Sequence, residues 1–189
     1  MPSTKRDQLI ETARKLFARD GFHNTGIDTI LAEAGVAKMT LYKHFKSKEE
    51  LILAALRRQD EEFRNTLMQG VEKQTDDPRG RLLALFDQLR DVVSHDDFCG
   101  CLFINAAAEY STKGDPIHQA AIEHKRLIHQ YITKLAGDAG ARAPEELARQ
   151  VALLMEGAVV SAQVTGECMA KSAQQAAEAL LDRDLRSPK

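Results

Sequence analysis

The chain is predicted to be all-α, with about nine helices in two parts: a three-helix N-terminal domain and a larger C-terminal helical bundle. Three observations predict it. Apolar residues recur at helical spacing along most of the 189 residues, and no segment alternates apolar and polar residues as a half-buried strand does. The composition is rich in Ala, Leu, Glu, Lys, Arg and Gln and only 5% aromatic, which favours helix. Helix punctuation recurs, with stops at Gly21 and Gly35 and starts at Pro78, Pro116 and Pro144. A chain 43% hydrophobic and 29% charged has enough apolar surface for an ordinary core.

The first helix is expected from about Thr4 to Asp20, with Ser3 or Thr4 as N-cap and Asp7 in its first turn. Leu9, Ile10, Ala13, Leu16 and Phe17 form one apolar stripe, and Gly21 ends the helix. Thr25 reads as the N-cap of a second helix, with Asp28 as a weaker capping-box partner. That helix carries Ile27, Ile30, Leu31 and Ala34 and stops at Gly35, which can take the left-handed conformation. A third, short helix follows from Ala37 to about His44, with Val36, Leu41 and Phe45 continuing the inward face. Two short helices joined by a tight glycine turn are the helix-turn-helix unit, here residues 27–46, whose second helix enters the DNA major groove.

The charges on this segment fit that role. Between Val36 and Lys48 there are four lysines (Lys38, Lys43, Lys46, Lys48), one histidine and no acid, in a chain of formal charge -2. The first 50 residues hold nine basic side chains against seven acidic ones, so the remainder is net acidic. An acidic remainder lowers non-specific DNA affinity and confines binding to one end.

Ser47 and Glu50 form an S-x-x-E capping box ahead of Leu51, Ile52, Ala55 and Leu56, so a long helix starts at Lys48 and runs to about Lys73. Asp76-Asp77-Pro78 is the clearest boundary, separating a DNA-binding domain at 4–64 from a second domain at 76–184. The next helix is apolar around much of its circumference (Leu82, Leu83, Leu85, Phe86, Leu89, Val92, Val93), as a buried helix is. Further helices are expected at about 101–110, from Pro116 to the loop at Gly137, from Pro144 to Gly166, and at about 170–182. The helix from Pro144 carries Leu147, Val151, Leu154, Met155, Ala158, Val159 and Ala162 on one face, and the last helix repeats small apolar residues. That pair either packs within its own subunit or forms the self-complementary face of a two-fold dimer.

Other chemistry is thinly represented. No apolar run is long enough to span a membrane and the first residues are too polar for a signal peptide, so the expected location is the cytoplasm. Cys99, Cys101 and Cys168 suggest neither a disulfide framework nor structural zinc. The histidines lack HExxH spacing, and no phosphate loop or nucleophile elbow is present, so neither a metal, a cofactor nor enzymatic activity is expected.

The string AGVAKMTLYKHFKSKEEL, from Ala34 to Leu51, resembles the TetR family of one-component transcriptional regulators. It is similar to the family pattern in which a Gly-Val turn leads into a recognition helix carrying L-Y-x-H-F, followed by K-x-K-E-x-L. The resemblance covers the first 50 to 65 residues. It implies a homodimeric repressor that binds a palindromic double-stranded DNA operator and is released by a small-molecule effector. By position, Thr25 would contact a phosphate, Lys38, Met39, Thr40 and Lys43 would face the groove, Tyr42 and His44 would reach phosphates or base edges, and Lys48 would grip the backbone. Ala37 stands where the family often has a capping serine, and Met39 where it often has glycine. Dimerisation would use the helices at about 144–166 and 170–182. The effector pocket would draw on Phe86, Leu89, Val93, Phe103, Ile104, Tyr110 and Tyr131, with Glu109 or His124 as polar anchors. Cys101, beside a G-C-L sequence at a helix start, resembles the oxidant-sensing or electrophile-sensing cysteine of some relatives. The alternative reading is an interaction protein whose C-terminal bundle binds a protein partner.

Overall fold

The structure, a computed structural model, describes residues 4–185. Among them there are nine helices and no strand: α1 (Lys5–Asp20), α2 (Ile27–Ala34), α3 (Lys38–His44), α4 (Lys48–Gln74), α5 (Pro78–Val93), α6 (Leu102–Glu109), α7 (Pro116–Asp138), α8 (Pro144–Thr165) and α9 (Ala170–Asp184). Ser3, one of the two expected caps of the first helix, lies outside the described residues. Thr4 caps α1: its hydroxyl accepts the Asp7 N–H, and Asp7 returns a carboxylate to the Thr4 N–H. That hydroxyl, with Arg58, holds the Asp7 carboxyl below its ordinary value.

By their contacts the helices group into two compact units. The first contains residues up to Glu62 together with 101–124, so it joins α1, α2, α3 and the first half of α4 to α6 and the start of α7. Its core is built on Leu9, Ile10, Phe17, Phe22, Ile30, Leu41, Leu51, Ile52 and Leu56, and the α6 residues Leu102, Phe103 and Ala106 belong to the same cluster. Burial of this apolar area is what holds the short α2 and α3 in place, since helices of 8 and 7 residues are unstable alone. Polar contacts fix the register: the Gln8 amide donates to the Ala34 carbonyl at 2.7 Å, and Arg58 of α4 meets Asp7 of α1 at 3.0 Å.

The second unit holds residues 63–100 and 125 onward, with α5, α8 and α9 packed on the remainder of α4 and α7. Leu147, Val151, Met155, Ala158 and Ala162 of α8 are buried within it beside Ala173, Ala177 and Leu181 of α9. Of the two readings of that apolar face, packing inside its own unit accounts for these buried residues. What α8 exposes is another stripe, Leu153, Val160 and Val164, with Gly157 between them.

Three local expectations are corrected. Thr25 does not cap α2, because Gly26 occupies that position and no side chain caps the helix. The loop draws Thr25 inward instead, to 2% exposure, and its hydroxyl donates to the Gly21 carbonyl at 2.7 Å. At α4 the Ser47 hydroxyl accepts the Glu50 N–H as expected, but the Glu50 carboxylate accepts from the Lys46 N–H, one residue before the capping position. Gly35 adopts φ 59° and ψ 38°, the left-handed stop. The seventh helix runs through Gly137 to Asp138, and the turn falls at Gly140, where φ is 76°.

Candidate nucleic-acid interface

The short helix α3 is amphipathic in a way that separates seat from surface. Leu41 is fully buried, and Val36 and Phe45 on either side of the helix are nearly so. The same register turns Met39 outward at 82% exposure and Tyr42 at 46%, with Lys43 and His44 exposed beside them and Thr40 half-buried. A thioether this exposed on a helix anchored from behind has no folding role, so its side chain is available to a partner. Ala37 precedes the helix in cap geometry, φ -67° and ψ 145°, without a side-chain bond. The first N–H groups of α3 therefore lack a side-chain acceptor.

The flanking lysines stand as follows. Lys38 reaches Asp28 at 3.4 Å in an exposed pair, which adds little to stability and leaves the ammonium accessible. Lys48 is half-buried at the start of α4, where its Nζ donates to the His23 carbonyl at 3.4 Å. Arg6, which the sequence reading did not single out, lies over the Phe45 ring at 5.3 Å. Thr25, expected to contact a phosphate, has its hydroxyl turned into the protein, where it donates to the Gly21 carbonyl.

Behind Lys48 lies a cluster that the sequence reading missed. The Glu109 carboxylate, at the end of α6, accepts from the Phe22 N–H at 2.8 Å and the His23 N–H at 2.7 Å, and meets His23 Nδ1 at 2.7 Å. Burial works to raise this carboxyl, and the two backbone N–H groups with the His23 ring outweigh it, holding it below the usual carboxylate range. Gly21, at φ +84°, permits the close approach, since a Cβ there would sit 3.0 Å from Glu109 Oε1. The Tyr110 ring stacks on His23 at 4.9 Å, and burial followed by the charges of Glu49, Glu109 and Asp115 pushes its phenol up. No sequence signal links these residues, because 86 positions separate His23 from Glu109.

The residues expected to line an effector pocket are divided between the two units. Phe103, Ile104, Glu109, Tyr110 and His124 lie in the first unit, and Phe86, Leu89, Val93 and Tyr131 in the second. Both expected polar anchors are already engaged: Glu109 as described, and His124, 5% exposed, with Nδ1 at 2.8 Å from Asp60 and its ring stacked on Phe103 at 3.7 Å. The second unit has a cavity of about 250 Å³ between α4 and α7, lined by Arg64, Leu67, Met68, Leu127, Ile128, Gln130, Tyr131 and Lys134. Tyr131 is the one member shared with the expected set. Cys101 occupies the N-cap position of α6 and is half-buried. No group of three metal-ligating side chains occurs among the described residues, and no described helix is long and apolar enough to cross a membrane.

A buried seat of Leu41 and Phe45 carrying an exposed row of Met39, Tyr42, Lys43 and His44, within a three-helix module, defines a helix-turn-helix DNA-binding regulator. Known proteins agree. Residues 9–55 match the family described as bacterial regulatory proteins, tetR family, and residues 78–180 match the tetracyclin repressor-like C-terminal domain. The chain therefore belongs to the TetR family of transcriptional regulators, which are DNA-binding proteins and not enzymes. The regulator LmrA of Bacillus subtilis is 30% identical over 159 residues, 82% of this chain and 84% of that protein. The transcriptional activator FasR of Mycolicibacterium smegmatis is 39% identical over 92 residues, so the match spans 49% of this chain but only 42% of FasR. The crystal structure of a TetR-family regulator from Streptomyces coelicolor superposes with a TM-score of 0.90 at 30% identity, covering 98% of this chain and 92% of that one.

Proposed function

We propose that the protein is a cytoplasmic homodimer that binds a palindromic operator in double-stranded DNA and represses transcription until a small-molecule effector releases it. The observation that carries the reading is the exposed row on α3 above its buried seat. In this reading Met39, Thr40 and Lys43 read base edges, with Met39 suited to a thymine methyl. Tyr42 and His44 contact phosphates or base edges, and Lys38 and Lys48 contact phosphates, as do the uncapped N–H groups at the start of α2 in place of the Thr25 hydroxyl.

Two recognition helices need a two-fold partner. The exposed α8 stripe of Leu153, Val160 and Val164, with Gly157 allowing close approach, supports pairing through α8 and α9. Half-sites one turn apart require recognition helices about 34–36 Å apart. An effector that favours another spacing lowers affinity by population shift. The cavity between α4 and α7 is the proposed effector site. At about 250 Å³ it exceeds the roughly 150 Å³ that holds benzene, and its walls are mainly apolar.

Selection of bound duplexes from a random-sequence pool with the purified protein tests the reading. An enriched inverted repeat is expected; failure to enrich any sequence overturns it. Transcription in vitro from a promoter overlapping the selected site then tests the sign. Lower transcript with protein present is expected, and stimulation, as the name of FasR would suggest, overturns repression.

A further inference from the structure

We propose that His23 is a phosphate-contacting residue of the DNA interface, oriented by Glu109, and that it makes affinity for DNA rise as pH falls. The inference rests on the reading that Lys48 and the start of α2 face the DNA backbone. His23 stands where these meet: its carbonyl accepts from Lys48 Nζ, and three residues later Gly26 opens α2 with no side-chain cap. The imidazole is 60% exposed, yet its orientation is fixed on two sides. Glu109 Oε2 holds Nδ1 at 2.7 Å, and the Tyr110 ring stacks on one face.

A carboxylate held below its usual range can only accept, so the proton on His23 resides at Nδ1 and points at Glu109. The second ring nitrogen, Nε2, makes no hydrogen bond with another described residue. In the neutral ring Nε2 is an acceptor and turns a lone pair towards any phosphate. In the imidazolium both nitrogens donate, one to Glu109 and one outward. A phosphate oxygen placed outside the ring therefore completes a carboxylate–imidazolium–phosphate series in which every polar atom has a partner of the right kind. The same arrangement answers a difficulty of this surface. Glu109 brings a negative charge close to the proposed backbone contact, and the more exposed His23 ring pairs with that charge at 2.7 Å. The other charged and titratable groups of the cluster are Lys48 of α4, whose Nζ meets the His23 carbonyl, Tyr110 at the end of α6, which stacks on the ring, and around Tyr110 the charges of Glu49 and Asp115, with His118 Nδ1 2.7 Å from the Tyr110 carbonyl.

The test measures binding of the full-length protein to a mixed-sequence duplex of about 30 base pairs, long enough for two half-sites, as a function of salt. Measurements are made at about pH 6 and about pH 8.5. Each phosphate contact contributes about 0.9 to the slope of log affinity against log salt. His23→Gln keeps a neutral hydrogen-bonding side chain, and His23→Phe keeps the ring on Tyr110 without the charge. Both are expected to lower the slope by about 0.9 per engaged protomer at the lower pH and to match wild type at the higher pH. Reading the difference between wild type and variant cancels any pH response of groups that both proteins share. Equal slopes at both pH values overturn the proposal, as does a wild-type slope in His23→Phe, which would make the role one of packing. If wild type shows no salt-dependent binding to any duplex, the DNA-facing assignment itself fails, and the inference with it. Thermal unfolding of each variant confirms that the compared proteins are folded.

Discussion

Replacing Glu109 by alanine removes the acceptor for three donors at once, at 2.8, 2.7 and 2.7 Å. A hydrogen bond to a charged group contributes about 1.5–3 kcal/mol, but the three share one carboxylate and do not add. The His23 N–H is exposed and regains water, whereas the Phe22 N–H is partly buried, and a donor left without a partner costs about 1–3 kcal/mol. The side chain is 26% exposed, which screens part of the interaction. The expected loss is about 2–3 kcal/mol. For a chain of this size each kcal/mol moves the melting temperature by about 2–4 °C, so a decrease of roughly 5–10 °C is expected. Unfolding followed by circular dichroism at one fixed protein concentration measures it, since a dimer melts in a concentration-dependent way. The pH dependence supplies a second check. The folded carboxyl titrates below its ordinary value of 4.5, so its contribution is complete above that value and disappears as pH falls through the lower folded one. The gap between wild type and Glu109→Ala should therefore narrow on acidification below about pH 4.5. A melting temperature within about 1 °C of wild type at neutral pH would refute the claim that this carboxylate holds α6 to the α1–α2 loop.

Three further outcomes follow from the same geometry. Ala37→Ser places a hydroxyl at a position already in cap geometry, and should raise stability by about 0.5–1 kcal/mol, read from the urea midpoint at constant slope; no change would mean the hydroxyl stays on water. Lys48→Ala should weaken binding to all duplexes alike and lower the salt slope by about 0.9 per engaged protomer, and an unchanged slope removes Lys48 from the phosphate contacts. Leu153→Asp combined with Val164→Asp puts charge on the exposed α8 stripe and should give a monomer by light scattering, with operator affinity lost; a persistent dimer would move the interface elsewhere.

Much of the fold was legible because helical periodicity and capping chemistry are local. The stripe Leu9, Ile10, Ala13, Leu16 and Phe17 is the buried face of α1, and the four residues Ile30, Leu41, Leu51 and Ile52 are buried where their spacing put them. Misreadings occurred where several local partners were equally good. Thr25 can cap a helix or bond back to the preceding turn, and only the path of the loop decides; here the hydroxyl found the Gly21 carbonyl. On α8, both Leu147–Val151–Met155–Ala158 and Leu153–Val160–Val164 keep helical spacing, and which of them is covered depends on where α5 and α9 lie.

Sequence alone determined that this chain is helical, where its helices begin and end to within a residue or two, and that residues 27–46 form a basic helix-turn-helix, because each of these rests on residues within about a turn of one another. Tertiary structure alone decided that α6 and the start of α7 group with the DNA-binding helices, that Glu109 and His124 are engaged within the protein, and that His23 is oriented towards solvent beside Lys48. Those contacts join positions more than 60 residues apart in two cases out of three, and periodicity carries no information across such a separation.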